Sequence, residues 1–203
     1  MNPTPPDLAV LPFADARAFS TWLAKHHASS SGLWLKLAKK SSGVASVSYP
    51  EAVEVALCWG WIDGQKRPLD ADWWLQKFTR RGTKSLWSKK NREKALALIG
   101  SKKMQPAGLL EVERAKADGR WDAAYDSPSS STLPDDLAAA LATSARAKKA
   151  FASLDAANRY AILWRVQTAK KPETRARRIS ELVAMLGRGE VLHPSRARRR
   201  STE

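Results

Sequence analysis

Of the 203 residues only one is cysteine, three are histidine and three are methionine. A lone Cys58 excludes an intramolecular disulfide framework, so nothing in the chain calls for an oxidising compartment. His26, His27 and His193 fall in no H-x-x-x-H or Cys/His spacing, and no loop is rich in carboxylates, so no metal-ligand set is expected. G-x-S-x-G, Walker-type and G-x-G-x-x-G sequences are also missing, which removes three common frameworks for acyl, phosphoryl and dinucleotide chemistry. No stretch approaches the ~18–20 continuous apolar residues of a membrane span. The opening Met1-Asn2-Pro3-Thr4-Pro5-Pro6-Asp7 has no basic region followed by an apolar run, so no signal peptide is expected. These absences describe a cytoplasmic protein with no cofactor and no metal, a binder more than an enzyme.

What the chain does have is tryptophan and positive charge. Nine Trp and 43% hydrophobic residues in a chain of this length are enough for a buried core. Lys and Arg total 35 against 20 Asp and Glu, a net charge of +15. Much of that excess is local: residues 64–94 hold ten basic and three acidic side chains. Charge so concentrated favours an anionic partner, whether nucleic acid or a phosphate-bearing small molecule, although it also serves solubility.

The patterning predicts an α+β fold, a small antiparallel sheet with helices, followed by an all-helical C-terminal domain. Residues 1–12, rich in proline, read as an N-terminal arm. The α+β domain is expected over 13–120, with Leu33–Lys40 and Trp73–Arg81 as strands. In the second strand Trp74, Gln76 and Phe78 share one face, and Trp73, Leu75 and Lys77 the other. A central helix is expected from Ser48, whose spacing to Glu51 is that of a capping box, through an apolar run to the break at Asp63-Gly64. Gly60 within that run suits a helix exit or a close backbone approach. Residues 121–132, ending Ser129-Ser130-Ser131-Thr132, read as a linker. Helices fill 133–190, one capped by Asp155, and 191–203 form a basic tail.

Two constellations carry the functional expectations. In Phe78-Thr79-Arg80-Arg81-Gly82-Thr83-Lys84-Ser85-Leu86-Trp87-Ser88-Lys89-Lys90, cations alternate with hydroxyls and an aromatic just before a helix N-terminus. Such a terminus offers free N–H groups to an anion, and an aromatic ring can stack a base. With Lys66 and Arg67 upstream, the expected anion-binding set is Lys66, Arg67, Arg80, Arg81, Lys84, Lys89 and Lys90. The second constellation, around Trp59-Gly60-Trp61-Ile62-Asp63-Gly64, is either structural or one wall of a pocket formed by Trp61, Asp63, Trp73 and Trp87. Cys58, among apolar neighbours, reads as an inert core thiol.

The run Ala56-Leu57-Cys58-Trp59-Gly60-Trp61-Ile62-Asp63-Gly64, with Phe78-Thr79-Arg80-Arg81 and Trp87-Ser88-Lys89-Lys90-Asn91, resembles the YdeI/OmpD-associated family of bacterial proteins, often labelled bacteriocin-protection. Ala169-Lys170-Lys171-Pro172-Glu173-Thr174-Arg175-Ala176-Arg177-Arg178-Ile179 resembles the helical half that many members share. The resemblance spans roughly residues 10–190 and implies a stress- or bacteriocin-protection protein, with no catalytic residues to carry over. Three functions follow: a non-enzymatic binder of an anionic partner through residues 66–92; a small-molecule binder or enzyme with a pocket at Trp61, Asp63 and Trp73; or a protein–protein adaptor using the helical domain.

Overall fold

The computed structural model describes residues 8–193. The chain divides into two compact units, Met1–Ala124 and Tyr125–Glu203.

The first unit runs β1 (Val10–Pro12), α1 (Ala16–His26), β2 (Leu33–Ala38), α2 (Tyr49–Cys58), β3 (Trp61–Pro68), β4 (Trp73–Arg80), α3 (Lys89–Gly100) and α4 (Pro106–Ala117). Each helix begins where the sequence can satisfy its free N–H groups or needs no donor. Asp15 caps α1 through Ala18, and Ser88 caps α3 through Asn91. Ser48 and Glu51 make the reciprocal capping box of α2, and Pro106 opens α4.

The four strands lie in the order β1-β2-β4-β3. β4 pairs antiparallel with both β2 and β3, the antiparallel arrangement that the sequence suggests for β2 and β4. β1 joins the edge parallel to β2, with Val10 opposite Trp34, and makes the sheet mixed. Residues 10–12, expected in an extended arm, are therefore the fourth strand; residues 1–7 lie outside the described residues, as do 194–203 of the expected basic tail.

Alternation fixes the two faces of this sheet. Leu33, Leu35, Leu37, Trp61 and Phe78 point to one side and join a core with Phe19, Leu23, Ala52, Val53, Ala56 and Leu57 from α1 and α2. The register puts Trp34, Lys36, Trp73, Leu75 and Lys77 on the other side.

The apolar run from Ala52 is not one helix to Gly64. α2 ends at Cys58, Gly60 takes a left-handed conformation at φ +72°, and Trp61-Ile62-Asp63 pair with Arg80, Thr79 and Phe78. A continuous apolar run fits a buried helix or a buried strand equally well; here the glycine decides. A side chain at Gly60 would also stand 2.8 Å from the Ala107 carbonyl, and one at Gly108 would collide with the carbonyl of Cys58. Both glycines let α4 lie directly on the end of α2.

β3 then carries a β-bulge. Asp63 faces Phe78 but Lys66 faces Gln76, so three steps on β3 match two on β4. The buried Gln76 amide donates to the Gly64 carbonyl at 2.7 Å and to that of Gln65 at 3.3 Å, which satisfies the backbone the bulge leaves unpaired. Unbroken pairing from Asp63 would set Arg67 against Trp74 on the core side. The extra residue sets it against Leu75, on the outer face.

The second unit holds α5 (Asp135–Ala142), α6 (Ala145–Ala152), α7 (Ala156–Gln167) and α8 (Pro172–Gly187). Leu137, Leu141, Phe151, Ile162, Leu163, Val166, Ile179, Leu182 and Leu186 form its own core. Asp155 caps α7 through Asn158. Trp121 and Ala124, at the start of the expected linker, are buried in the first unit's core, whereas Tyr125 packs on Trp164 in the second. The Tyr160 hydroxyl donates to the Asp126 carbonyl, and burial pushes its phenol up to about 12.

Candidate functional site

The basic residues of 64–94 go to several different places. Arg81 is 6% exposed; its guanidinium lies 3.7 Å over the Trp87 ring and donates to the Leu86 carbonyl. Trp87, 2% exposed, packs edge-on against Trp121 at 4.9 Å. Arg81 and Trp87 are thus part of the core of the first unit, not an open cation and an open stacking ring. Arg80 is exposed, on the core side of the sheet's edge, and donates to the Ala28 carbonyl at 2.9 Å. Lys84 is exposed in the loop after β4, and Lys89 and Lys90 are exposed in the first turn of α3. Lys66 is exposed at the bulge. The expected set of seven cations therefore does not converge on one face.

Nor do Trp61, Asp63, Trp73 and Trp87 line one pocket. Trp61 is fully buried, and its indole N–H donates to the His27 carbonyl at 3.2 Å. Asp63 accepts the Tyr49 hydroxyl at 2.7 Å. Trp73 sits on the opposite face of the sheet from both. Cys58 is buried, and its desolvation pushes the thiol up, away from the thiolate a nucleophile needs.

A different constellation assembles on the outer face of the sheet. Lys36 of β2 holds its ammonium 4.4 Å from the Trp73 ring of β4. Arg67 of β3 holds its guanidinium 4.3 Å over the Trp34 ring of β2. Lys77 stands in register with Trp34, and Leu75 with Lys36 and Arg67. Trp34 and Leu75 are each 8% exposed and, among the described residues, stand in neither apolar core. Arg67 is exposed, while Lys36, Trp73 and Lys77 are half-buried. Among the described residues no ion pair joins Lys36, Arg67 or Lys77 to a carboxylate. Elsewhere pairing is common: Lys94 meets Glu54, Arg114 meets Glu111, and Arg120 meets Asp118. The outer face thus presents three cations and two indoles: Lys36 and Arg67 lie over rings, and Lys77 stands cross-strand from Trp34.

Of this group, only Arg67 and Trp73 stand in the sets expected from sequence. Trp34, Lys36 and Lys77 were legible as strand residues; what joins them to Arg67 is cross-strand register and a bulge.

In the helical unit, a groove of about 770 Å³ runs between α5 and α8, walled by Ala140, Ala176, Ile179 and Val183. At its rim Arg175 donates to both Asp136 oxygens, at 2.6 and 2.9 Å, and these bonds hold the Asp136 carboxyl below the usual carboxylate range.

The fold and this face define a two-unit α+β protein with a basic, aromatic sheet surface in its first unit. Residues 130–189, most of the second unit, match the family described as Bacteriocin-protection, YdeI or OmpD-Associated, so the helical unit carries a YdeI/OmpD-associated domain. Residues 11–111 match a separate model, Domain of unknown function (DUF8412). The motifs at 56–64, 78–81 and 87–91 therefore lie within the second of these matches. No curated protein and no solved structure matches the chain.

Proposed function

We propose that the protein is a non-enzymatic cytoplasmic binder of a polyanion, and that the outer face of the first unit's sheet is the surface that holds it. The observation that carries this reading is the group Lys36, Arg67 and Lys77, three cations on one sheet face whose neighbours are indoles and not carboxylates. Cations paired with carboxylates gain little from an approaching anion, because they must first surrender a partner. Cations seated on ring faces keep their charge available and already have their stems packed. Lys66, Arg80 and Lys84, all exposed, extend the positive field that draws the partner in. The cytoplasmic setting is supported by a chain whose only cysteine is buried and needs no oxidant. The description of the family matched by the helical unit suggests a protective role for the complex.

The test is binding of inorganic polyphosphate and of oligonucleotides to the full chain over a salt series. A polyanion that neutralises three cations gives log K falling linearly with log salt. On a single strand the slope is about −0.7 per phosphate contacted. The triple variant K36A/R67A/K77A should lose that slope and most of the affinity. Retention of both would move the binding elsewhere on the chain.

A further inference from the structure

We infer that the polyanion is single-stranded nucleic acid, and that Trp73 and Trp34 are stacking platforms for its bases, each held ready under a cation that moves aside on binding. The inference rests on the polyanion reading above and adds what that reading leaves open, the role of the rings.

A face that served only to collect phosphate would need cations and nothing else. Here each ring lies on the outer side of the sheet with a cationic side chain over it: Lys36 over the half-buried Trp73, and the exposed Arg67 over Trp34, which is 8% exposed. Neither ring is part of the packed core beneath the sheet. An exposed cation–π contact is worth only about 0.5–1 kcal/mol, so a Lys or Arg can leave its ring at small cost. A base stacked on an aromatic side chain is worth about 1–3 kcal/mol, which exceeds what the departing cation gives up. The displaced ammonium or guanidinium is then beside the stacked nucleotide, where the phosphate lies. Each platform thus exchanges a cation–ring contact for a base–ring contact and a cation–phosphate contact.

Register sets the scale. Trp73 faces Ala38 and Trp34 lies four residues back along β2, so the backbone positions that carry the two rings are separated by roughly 13 Å along the strands at ~3.3 Å per residue. That distance exceeds the ~3.4 Å per-strand charge spacing of stacked DNA, so the two positions would engage different nucleotides of one strand. The pair therefore suits a polymer and not a mononucleotide. In a duplex the base faces are already occupied by stacking on their neighbours and are closed to the two rings. Single-stranded bases have free faces, and stacking tolerates any sequence.

The experiment compares a 12-mer single-stranded DNA with an abasic deoxyribose-phosphate oligomer of the same length and with the corresponding duplex. Affinity is read by anisotropy of the labelled oligomer and ring contact by tryptophan quenching. The single strand should bind tenfold or more tighter than the abasic oligomer. Trp73→Leu should remove that advantage and part of the quench while sparing abasic binding, and Trp73→Phe should restore most of it. Far-ultraviolet circular dichroism checks that both variants are folded. Equal, salt-dependent binding of single strand and abasic oligomer would overturn the stacking inference and leave the polyanion reading standing. Preference for the duplex would overturn it too. Failure of every oligomer to bind at low salt would remove both readings together.

Discussion

The molecule contains two arginine–tryptophan stacks that are chemically alike and physically different. Arg81 lies 3.7 Å over Trp87 and both are buried; Arg67 lies 4.3 Å over Trp34 and the arginine is exposed. In the first stack the guanidinium is a packing element, buried over a ring that itself packs on Trp121. In the second it is an exposed cover over a ring that is 8% exposed and stands, among the described residues, outside the core cluster. The difference teaches that a basic run in sequence is not a basic surface. Residues 66 and 67 and residues 80 and 81 are both adjacent cations in strands or at a strand end, and only the register separates an open cation from an enclosed one.

The comparison can be broken most forcefully at the buried stack. Trp87→Ala should cost on the order of 3–5 kcal/mol, the usual range for truncating a core aromatic. A large fall in the urea midpoint of the first unit's transition would show it. A change within experimental error would mean that Trp87 is not core and that the contrast between the stacks is false. Gln76→Leu tests what holds Arg67 in place. It strips the Gly64 and Gln65 carbonyls of their donor at the bulge, which should cost about 1–3 kcal/mol. It should also weaken oligonucleotide binding, because the bulge sets the side of the sheet that Arg67 occupies.

Arg67→Ala should be milder, with no more than about 1 kcal/mol of stability lost, since an exposed cation–π contact is worth no more. Its clearer mark is on binding, where the salt slope should shallow by about 0.7 for one lost single-strand phosphate contact. An Arg67→Ala variant as unstable as Trp87→Ala would make the two stacks equivalent.

A third arginine environment gives the smallest effect and sharpens the scale. Arg175 is bonded to Asp136, and both are substantially exposed, so Asp136→Asn should cost under about 1 kcal/mol at neutral pH. The Asp136 carboxyl titrates lower when folded than when unfolded, chiefly through its hydrogen bond from Arg175. Its contribution is therefore fully present above the ordinary Asp value of about 3.9 and fades as pH falls through the folded one. The stability gap between wild type and Asp136→Asn should close below about pH 4. A gap that persisted at lower pH would assign the effect to something other than this ion pair.

Much of the fold was legible because local chemistry announces it. Ser48 with Glu51, Ser88 and Asp155 cap the helices they precede, and the alternation in Trp73–Arg80 gives a strand whose faces match the observed ones. Gly60 was legible as a special position but not as the point where helix becomes strand, because Trp61-Ile62 is apolar enough for either. The candidate site was legible only in fragments. Trp34 and Lys36 lie some thirty residues before Arg67, and no local pattern reports which side of a sheet a residue takes after a one-residue bulge. The burial of Arg81 was hidden for a related reason: its charge is plain in the sequence, while the Trp87 ring it lies on is packed against Trp121, far along the chain.

The bulge also bears on how this segment tolerates changes of length. β3 has two ends with separate obligations, Trp61 in the core and Pro68 against Trp74 beside the hairpin turn, and between them it carries one residue more than β4 supplies. That surplus is slack. A one-residue deletion within 64–66 would merely spend it, leaving Arg67 opposite Leu75 and the turn untouched. The same deletion in the turn at 69–72 finds no slack to draw on and must be absorbed by sliding one strand past the other. Single-residue deletions should accordingly be uneven along this hairpin, accepted at the bulge and refused at the turn.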